Sequence, residues 1–443
     1  LISHQEEGSG RGKSSLLRTA WVVLAASSVM LAQPVLAADY TITGSSNTYL
    51  RMTRTISKDD LYPLYEYLRF SVSTAEKDGS SVSLHLGAWG RLDLVDKSSD
   101  HYTDGDLQYG FLSYQGAKNN LVVNVGRQFV TEGVASERID GLYARSDFAA
   151  GFTGAAFVGQ PVVTDPSYKG GDYIYGGRLA QGKAGLYTIG VSALRNESDI
   201  ARDREEEGID VWLHPVKQVD LTGRSSYNSI TSGWMEHAYT LSLAPIDAVT
   251  LSADFSRINY SDYFYNVTTT AFALKNNGGV LDPNEELTTY GASAAWTPKK
   301  DLTVAAEYKK YDYDIQGSGD YVGGKVAWTA PGSLSVGGSV HRMIGDSERL
   351  RYYDYRLYAL KKVGHAELGL DFYNVIFDRP IDSVKSSFAL TGIAAYEVTE
   401  KLKVGGDVEY SQSPDFDREW RALVKVAYAF DMKTGEKGGK SEK

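Results

Sequence analysis

The 443-residue chain has no cysteine. That excludes disulfide scaffolds, cysteine-ligated zinc, iron–sulfur clusters, c-type haem attachment and thiol catalysis. Histidine is scarce. The seven are His4, His85, His101, His214, His237, His341 and His365, and no H-x-x-x-H or H-E-x-x-H spacing occurs. No helix-borne zinc motif is therefore present, and G-x-S-x-G, P-loop and EF-hand patterns are missing as well. An excess of basic residues is also lacking: 46 basic against 56 acidic residues give a net charge of −10. A generic nucleic-acid binder would show a basic face. After residue 38 there are no long apolar runs. The longest charge-free stretch beyond it, Phe148–Thr164, is broken by glycines and a proline, which excludes a helical membrane protein.

Tyrosine and glycine are abundant, at 31 and 45 residues. Charged residues make up 23% and hydrophobic residues 42% of the chain, a balance that argues against wholesale disorder. The N-terminus reads as an address. Arg11, Lys13 and Arg18 precede an uncharged run from Thr19 to Ala38 that Pro34 interrupts, and Val35-Leu36-Ala37 ends in small or apolar residues. This is the pattern of a secretory signal peptide over residues 1–37, removed before folding.

The remainder alternates with period two. Ala422, Val424, Val426, Tyr428 and Phe430 share one parity, and Arg421, Lys425 and Ala427 the other. Leu402, Val404, Val408 and Tyr410 alternate with Lys403, Asp407 and Glu409. Leu302, Val304, Ala306 and Tyr308 alternate with Thr303, Glu307 and Lys309. Each is a half-apolar strand, and no 3.6-residue stripe competes with it. Short turns such as Glu76–Ser80, Pro298–Asp301 and Val398–Lys401 separate these strands in alternation with longer polar segments. The longer ones include Asp96–Gly105, Gln160–Gly171, Asn196–Glu207, Ser261–Glu286 and Ser413–Asp417. Short turns at one rim and long loops at the other predict an all-β fold: a single antiparallel transmembrane β-barrel of about 20–22 strands over residues 38–430. Parity is ambiguous in Leu107–Tyr114, Arg138–Arg145 and Asp172–Ala180.

A soluble sandwich alternates too, but its apolar parity would be rich in large aliphatics and Phe. Here that parity is rich in Ala, Gly and Tyr, which suits contact with lipid. Aromatics gather near strand ends, at Tyr65, Tyr67, Trp296, Tyr308, Trp328, Tyr352 to Tyr355, Tyr396, Tyr410, Trp420 and Tyr428, as membrane interfaces favour. Lysines concentrate in the short turns and acids in the long segments, Glu205-Glu206-Glu207 among them.

On this pattern, and on a last strand that runs Val426-Ala427-Tyr428-Ala429-Phe430, the chain resembles the outer-membrane porin class of Gram-negative bacteria. The resemblance implies an outer-membrane location, lipid contact, no enzymatic activity, no cofactor and no metal. One departure is a polar tail from Asp431 to Lys443, read as a solvated periplasmic extension.

The polar parity then predicts the pore lining: Arg69, Arg91, Asp93, Glu307, Lys309, Lys325, Arg356, Glu367, Asp371, Lys403, Asp407, Glu409, Arg421 and Lys425. Mixed signs imply weak charge selectivity. A wide barrel needs narrowing, and Ser261–Glu286, the longest loop, is the candidate, with the outer surface as its alternative place. The leading function is passive diffusion of small hydrophilic solutes or ions, possible as a monomer or a homo-oligomer. The alternative is the barrel of a porin–cytochrome conduit, which sheathes a multihaem cytochrome partner and binds no haem itself.

Overall fold

The computed structural model describes residues 40–434, apart from 55–59, 77, 96–102, 163–171, 199–200, 266–281, 283, 415 and 417. The expected signal segment and most of the polar tail lie outside the described residues. The strands in chain order begin with β1 (Tyr40–Arg54), β2 (Asp60–Leu61), β3 (Pro63–Ala75), β4 (Ser81–Asp93), β5 (Thr103–Gln115), β6 (Leu121–Glu132) and β7 (Ala135–Asp147). Next come β8 (Phe152–Pro161), β9 (Tyr173–Lys183), β10 (Tyr187–Ser198), β11 (Ala201–Val216), β12 (Val219–Asn228), β13 (Gly233–Ile246), β14 (Val249–Asn259) and β15 (Glu286–Lys299). The last are β16 (Leu302–Tyr313), β17 (Gly317–Ala330), β18 (Leu334–Gly345), β19 (Arg351–Val363), β20 (Ala366–Ile381), β21 (Val384–Thr399), β22 (Leu402–Gln412) and β23 (Glu419–Thr434).

Every long strand pairs antiparallel with its chain neighbours, and β23 pairs with β1 from Tyr40↔Thr434 to Met52↔Ala422. The two-residue β2 only extends the edge of β1. Twenty-two strands therefore close a barrel, which leaves no edge strand. The last strand runs past Phe430, and Asp431 to Thr434 pair with Tyr40 to Thr43. No described helix is long and apolar enough to cross a membrane.

Local chemistry fixes the hairpins. Lys300-Asp301, Lys217-Gln218 and Glu400-Lys401 turn tightly at the rim that holds Tyr40 and Thr434. At the other rim Asp382 and Ser383 both take positive φ, 47° and 69°. That is the primed turn whose twist matches the flanking strands.

Directly opposed residues in an antiparallel ladder share a face, so the two faces can be followed round the barrel. One face carries most of the exposed large apolar side chains, among them Leu112, Val191, Val326, Leu370 and Val424. The other makes contacts between strands that are not neighbours, such as Val134 N–H to Ser192 Oγ at 3.0 Å, which only the concave side permits. Apolar-out alternation is thus realised. Exposed Trp296, Trp328, Tyr396 and Tyr428 mark the short-turn end of the outer face, and Tyr290, Tyr308, Tyr353 and Trp420 the opposite end.

Two expectations are corrected. Asn196–Glu207 is mostly strand, not loop: Arg195 pairs with Glu205 across the β10–β11 hairpin. Its charges are cross-strand pairs that only looked like a polar loop. Tyr65, Tyr67 and Tyr352 are not part of an outer aromatic belt. Tyr67 is opposed to Trp89, Tyr65 to Arg91 and Tyr352 to Met343, all on the inner face.

Candidate functional site

The inner face gathers the charged residues, and most are paired. Arg356 donates to both oxygens of Asp371, at 3.0 and 2.6 Å. Lys403 reaches Glu367 at 3.4 Å across the small Ala395 of the strand between them. Lys325 lies 3.3 Å from Glu307. Arg421 lies 3.9 Å from Glu409 and 2.8 Å from Glu419. Arg91 lies 3.7 Å from the buried Asp93. Arg69 stands opposite Gly87, Lys309 opposite Gly291 and Tyr321, and Asp407 opposite Ile393 and Leu423. All fourteen residues named from the sequence thus share the inner parity. They lie on β3, β4 and the stretch from β16 to β23 as a series of local pairs, not one converging cluster.

Two further inner groups were not read from the sequence. On β1, β3 and β4, Tyr49 meets Tyr67 edge-on at 5.6 Å, Tyr65 lies 6.3 Å from Tyr67, and Trp89 lies 6.4 Å from Tyr65. Arg91 sits over the Tyr65 ring at 5.9 Å and Lys425 over the Tyr49 ring at 5.1 Å, within cation–π range. On β16 to β19, buried His341 is 3.0 Å from Glu307 and 3.2 Å from Asp354, with Tyr321 stacked on it at 4.8 Å. Cross-strand register is the signal that would have revealed both groups, and period-two reading alone does not supply it.

The largest departure is the β6–β7 hairpin, whose upper part leaves the wall and folds inward. The β5–β6 ladder has only six opposed pairs and stops at Gly110↔Arg127. Above that point Val130, Ala135, Ile139, Phe157, Ile174 and Leu194 form a buried apolar cluster on the inner face. Ile139 and Ile174 are fully buried. The tip is tight: Gly133 has φ +59°, and a Cβ there would run into Ser192 Oγ. Polar anchors complete the docking. Tyr143 donates to Glu132 at 2.6 Å, and Arg204 of β11 pairs with Glu137 of the hairpin and with Glu206. The Tyr265 hydroxyl is buried beside the same Arg204 and Glu206. The start of the expected constriction loop therefore turns inward, while its residues 266–281 lie outside the described residues.

No protein-family model matches the chain, and no curated protein matches it in sequence. Solved structures do match. One is a mutant of the ferric enterobactin receptor PfeA from Pseudomonas aeruginosa, with a TM-score of 0.54 at 10% identity over 89% of this chain and 81% of that one. The fold is that of an outer-membrane β-barrel. Acinetobacter baumannii OccAB4 matches with a TM-score of 0.44 at 9% identity, over 90% of this chain and 99% of that one. At these identities the fold alone is shared.

Proposed function

We propose that this barrel is a porin-like channel of a Gram-negative outer membrane, conducting small hydrophilic solutes or ions by passive diffusion. The carrying observation is the closed 22-strand wall, apolar outside and charged inside. Such a wall places a water-compatible path through hydrocarbon. The infolded β6–β7 hairpin narrows that path from one side. The paired charges of both signs support weak selectivity, and the fourteen inner residues are its lining. Export through a cleaved signal peptide at residues 1–37 belongs to the same reading.

Conductance tests it. Protein extracted gently from its own membrane and inserted into a planar bilayer is expected to give discrete, ohmic, weakly selective steps. Silent bilayers from demonstrably folded barrels would overturn the channel. Haem absorbance in that silent sample would move the chain to the cytochrome-sheath alternative.

A further inference from the structure

The wall changes character along one row. Across β6, β7 and β8 the inward residues Gly126, Gly141 and Gly159 oppose one another. Gly126 has φ +124°, and a Cβ there would run into the Gly110 carbonyl. A Cβ on Gly141 would run into the Val158 carbonyl. The row is a crease that glycine alone allows, and the β6–β7 hairpin leans into the lumen above it. β5 bulges beside the same row, where Tyr109 faces Gly87 but Leu107 faces Ala88. Above Gly110↔Arg127, the β6-side edge of Thr103–Tyr109 pairs with no described strand. β6 therefore stays in the wall only from Leu121 to Arg127, seven residues. A tilted strand needs about 9–11 residues to cross the hydrocarbon core. The break thus lies level with lipid, on the long-loop side.

Side chains run through this break from one face to the other. Asp106 is opposite Trp89, on the inner face. Asp140 shares the outer face with the exposed Leu142 and Val158. Between them, Arg127 donates to both oxygens of Asp140, at 2.8 and 2.9 Å, and to Asp106 at 3.2 Å. Arg138 donates to the other Asp106 oxygen at 2.9 Å. The two ends of the string are open: the Asp106 and Asp140 side chains are 35% and 42% exposed. Its middle is closed. Arg138 is only 9% exposed, and its Nη2 is buried without a hydrogen-bond partner. A buried guanidinium donor left unmatched is costly, and a carboxylate fits its fork. Below Asp140 on the outer face, Ala144, Gly154, Ala156 and Gly177 leave an apolar groove between Phe148 and Val191.

We propose that the β5–β6 break is a lateral passage between the lumen and the lipid leaflet of the long-loop side, for single-chain amphiphiles with a carboxylate head. The inference rests on the reading above that lipid lies outside this wall and water inside it. The head enters beside Asp140, replaces it on Arg127, and takes up the unmatched Nη2 of Arg138 before it reaches the lumen. The chain lies in the outward groove meanwhile. Elsewhere the unbroken ladder leaves no polar path between the two faces.

Labelling from the lipid phase tests the passage in the protein's own membranes, since the chain holds no other thiol. Trp89→Cys and Tyr109→Cys stand inward beside the break, and Lys403→Cys stands inward on a distant strand. The probe is a hexadecyl chain whose head carries a carboxylate and a maleimide. It is expected to modify the two cysteines beside the break and to leave Lys403→Cys unmodified. Adding Arg138→Met is expected to slow that reaction roughly ten-fold, the loss of one charge-assisted hydrogen bond. Adding Asp106→Asn, which frees both arginines, is expected to speed it. A probe with a trimethylammonium in place of the carboxylate is expected to react slowly. Equal reaction at all three sites, an equally fast ammonium probe, or a faster reaction with Arg138→Met would each overturn the passage; the last would be a leak through a loosened wall. A water-soluble maleimide on the same samples is expected to reach all three cysteines. If it does and the lipid-borne probe reaches none, the passage alone falls. If it reaches none in barrels with heat-shifted mobility, the aqueous lumen falls and the passage with it.

Discussion

The arc from β12 to β23 and the arc from β5 to β11 obey the same alternation, and the second departs from it at the infolded β6–β7 hairpin. In the first arc, charges such as Arg356, Asp371, Lys403 and Glu367 face inward, while Val404, Leu370 and Val326 face outward. In the second, Val130, Ile139 and Ile174 are buried inside, and Arg127 with Asp140 stands outside. The two inversions have one cause. When the β6–β7 hairpin leans inward, its inner face becomes a small protein core and must be apolar. The wall it vacates loses its backbone ladder beyond Gly110↔Arg127, and long side chains fill the gap. Arg127 Nη1 takes up the Leu107 carbonyl at 3.2 Å, and Arg138 contacts the Val162 carbonyl at 3.5 Å. In this barrel the polarity of a strand face therefore reports whether the strand stays in the wall.

The sharpest way to break that contrast is to undock the hairpin. Ile139→Ala removes a fully buried side chain from the inner cluster. Such truncations cost about 2–5 kcal/mol. Single-channel conductance is expected to rise as the hairpin leaves the lumen, with heat-shifted mobility retained. Val424→Ala on the lipid face of the regular arc is expected to leave conductance unchanged. Equal conductance in the two variants would mean that the hairpin does not narrow the path.

A smaller effect is expected at the tip. Gly133→Ala places a Cβ against Ser192 Oγ in a left-handed backbone conformation, which alone costs an L-residue roughly 1–2 kcal/mol. The expected readout is increased open-channel noise, because the tip loses its seat while the apolar cluster beneath it remains. A quiet trace like that of the parent would remove the tip from the constriction.

Legibility followed the same division. Strand positions, the short-turn rim and closure were readable because lipid outside and charge inside make period two unambiguous over Leu302–Tyr308 and Leu402–Tyr410. The stretches with ambiguous parity, Leu107–Tyr114, Arg138–Arg145 and Asp172–Ala180, fall on the ladder break, the infolded hairpin and the β9 wall behind it. There both faces carry apolar residues, so alternation carries no sign. Parity groups these charges on one strand face but does not name their partners: Lys403 and Glu367 lie two strands apart, a distance that sequence spacing does not encode. The Tyr65 and Tyr67 side chains were placed outward because aromatic rings suit interfaces, whereas stacking with Trp89 and Arg91 holds them inside.

Within the regular arc, parity is open to chemical reading. Lys403→Cys is expected to react with a water-soluble maleimide and Val404→Cys to resist it. The reverse would shift the β22 register by one residue and exchange its faces. Loss of the exposed Lys403–Glu367 pair is expected to cost at most about 1 kcal/mol, so the labelling pattern reports orientation and not unfolding.

The smallest effect belongs to the loop that joins β18 to β19. Asp346 accepts the Ser318 amide at 2.6 Å and its hydroxyl at 3.3 Å. These bonds hold its carboxyl below the usual range. A carboxyl with a lowered native pKa adds stability above its unfolded value and loses it as pH falls through the native value. The Ser318 amide is therefore expected to stay protected from hydrogen exchange at neutral pH and to lose protection only below about pH 4, the ordinary aspartate range. Asp346→Asn keeps an acceptor but removes the titration, so its protection at that amide should be weaker and independent of pH. A pH-dependent loss that persists in Asp346→Asn would place the titrating group elsewhere at this rim. The hairpin on the other arc, seated by the Ile139 cluster, should hold its conductance level through the same acid range.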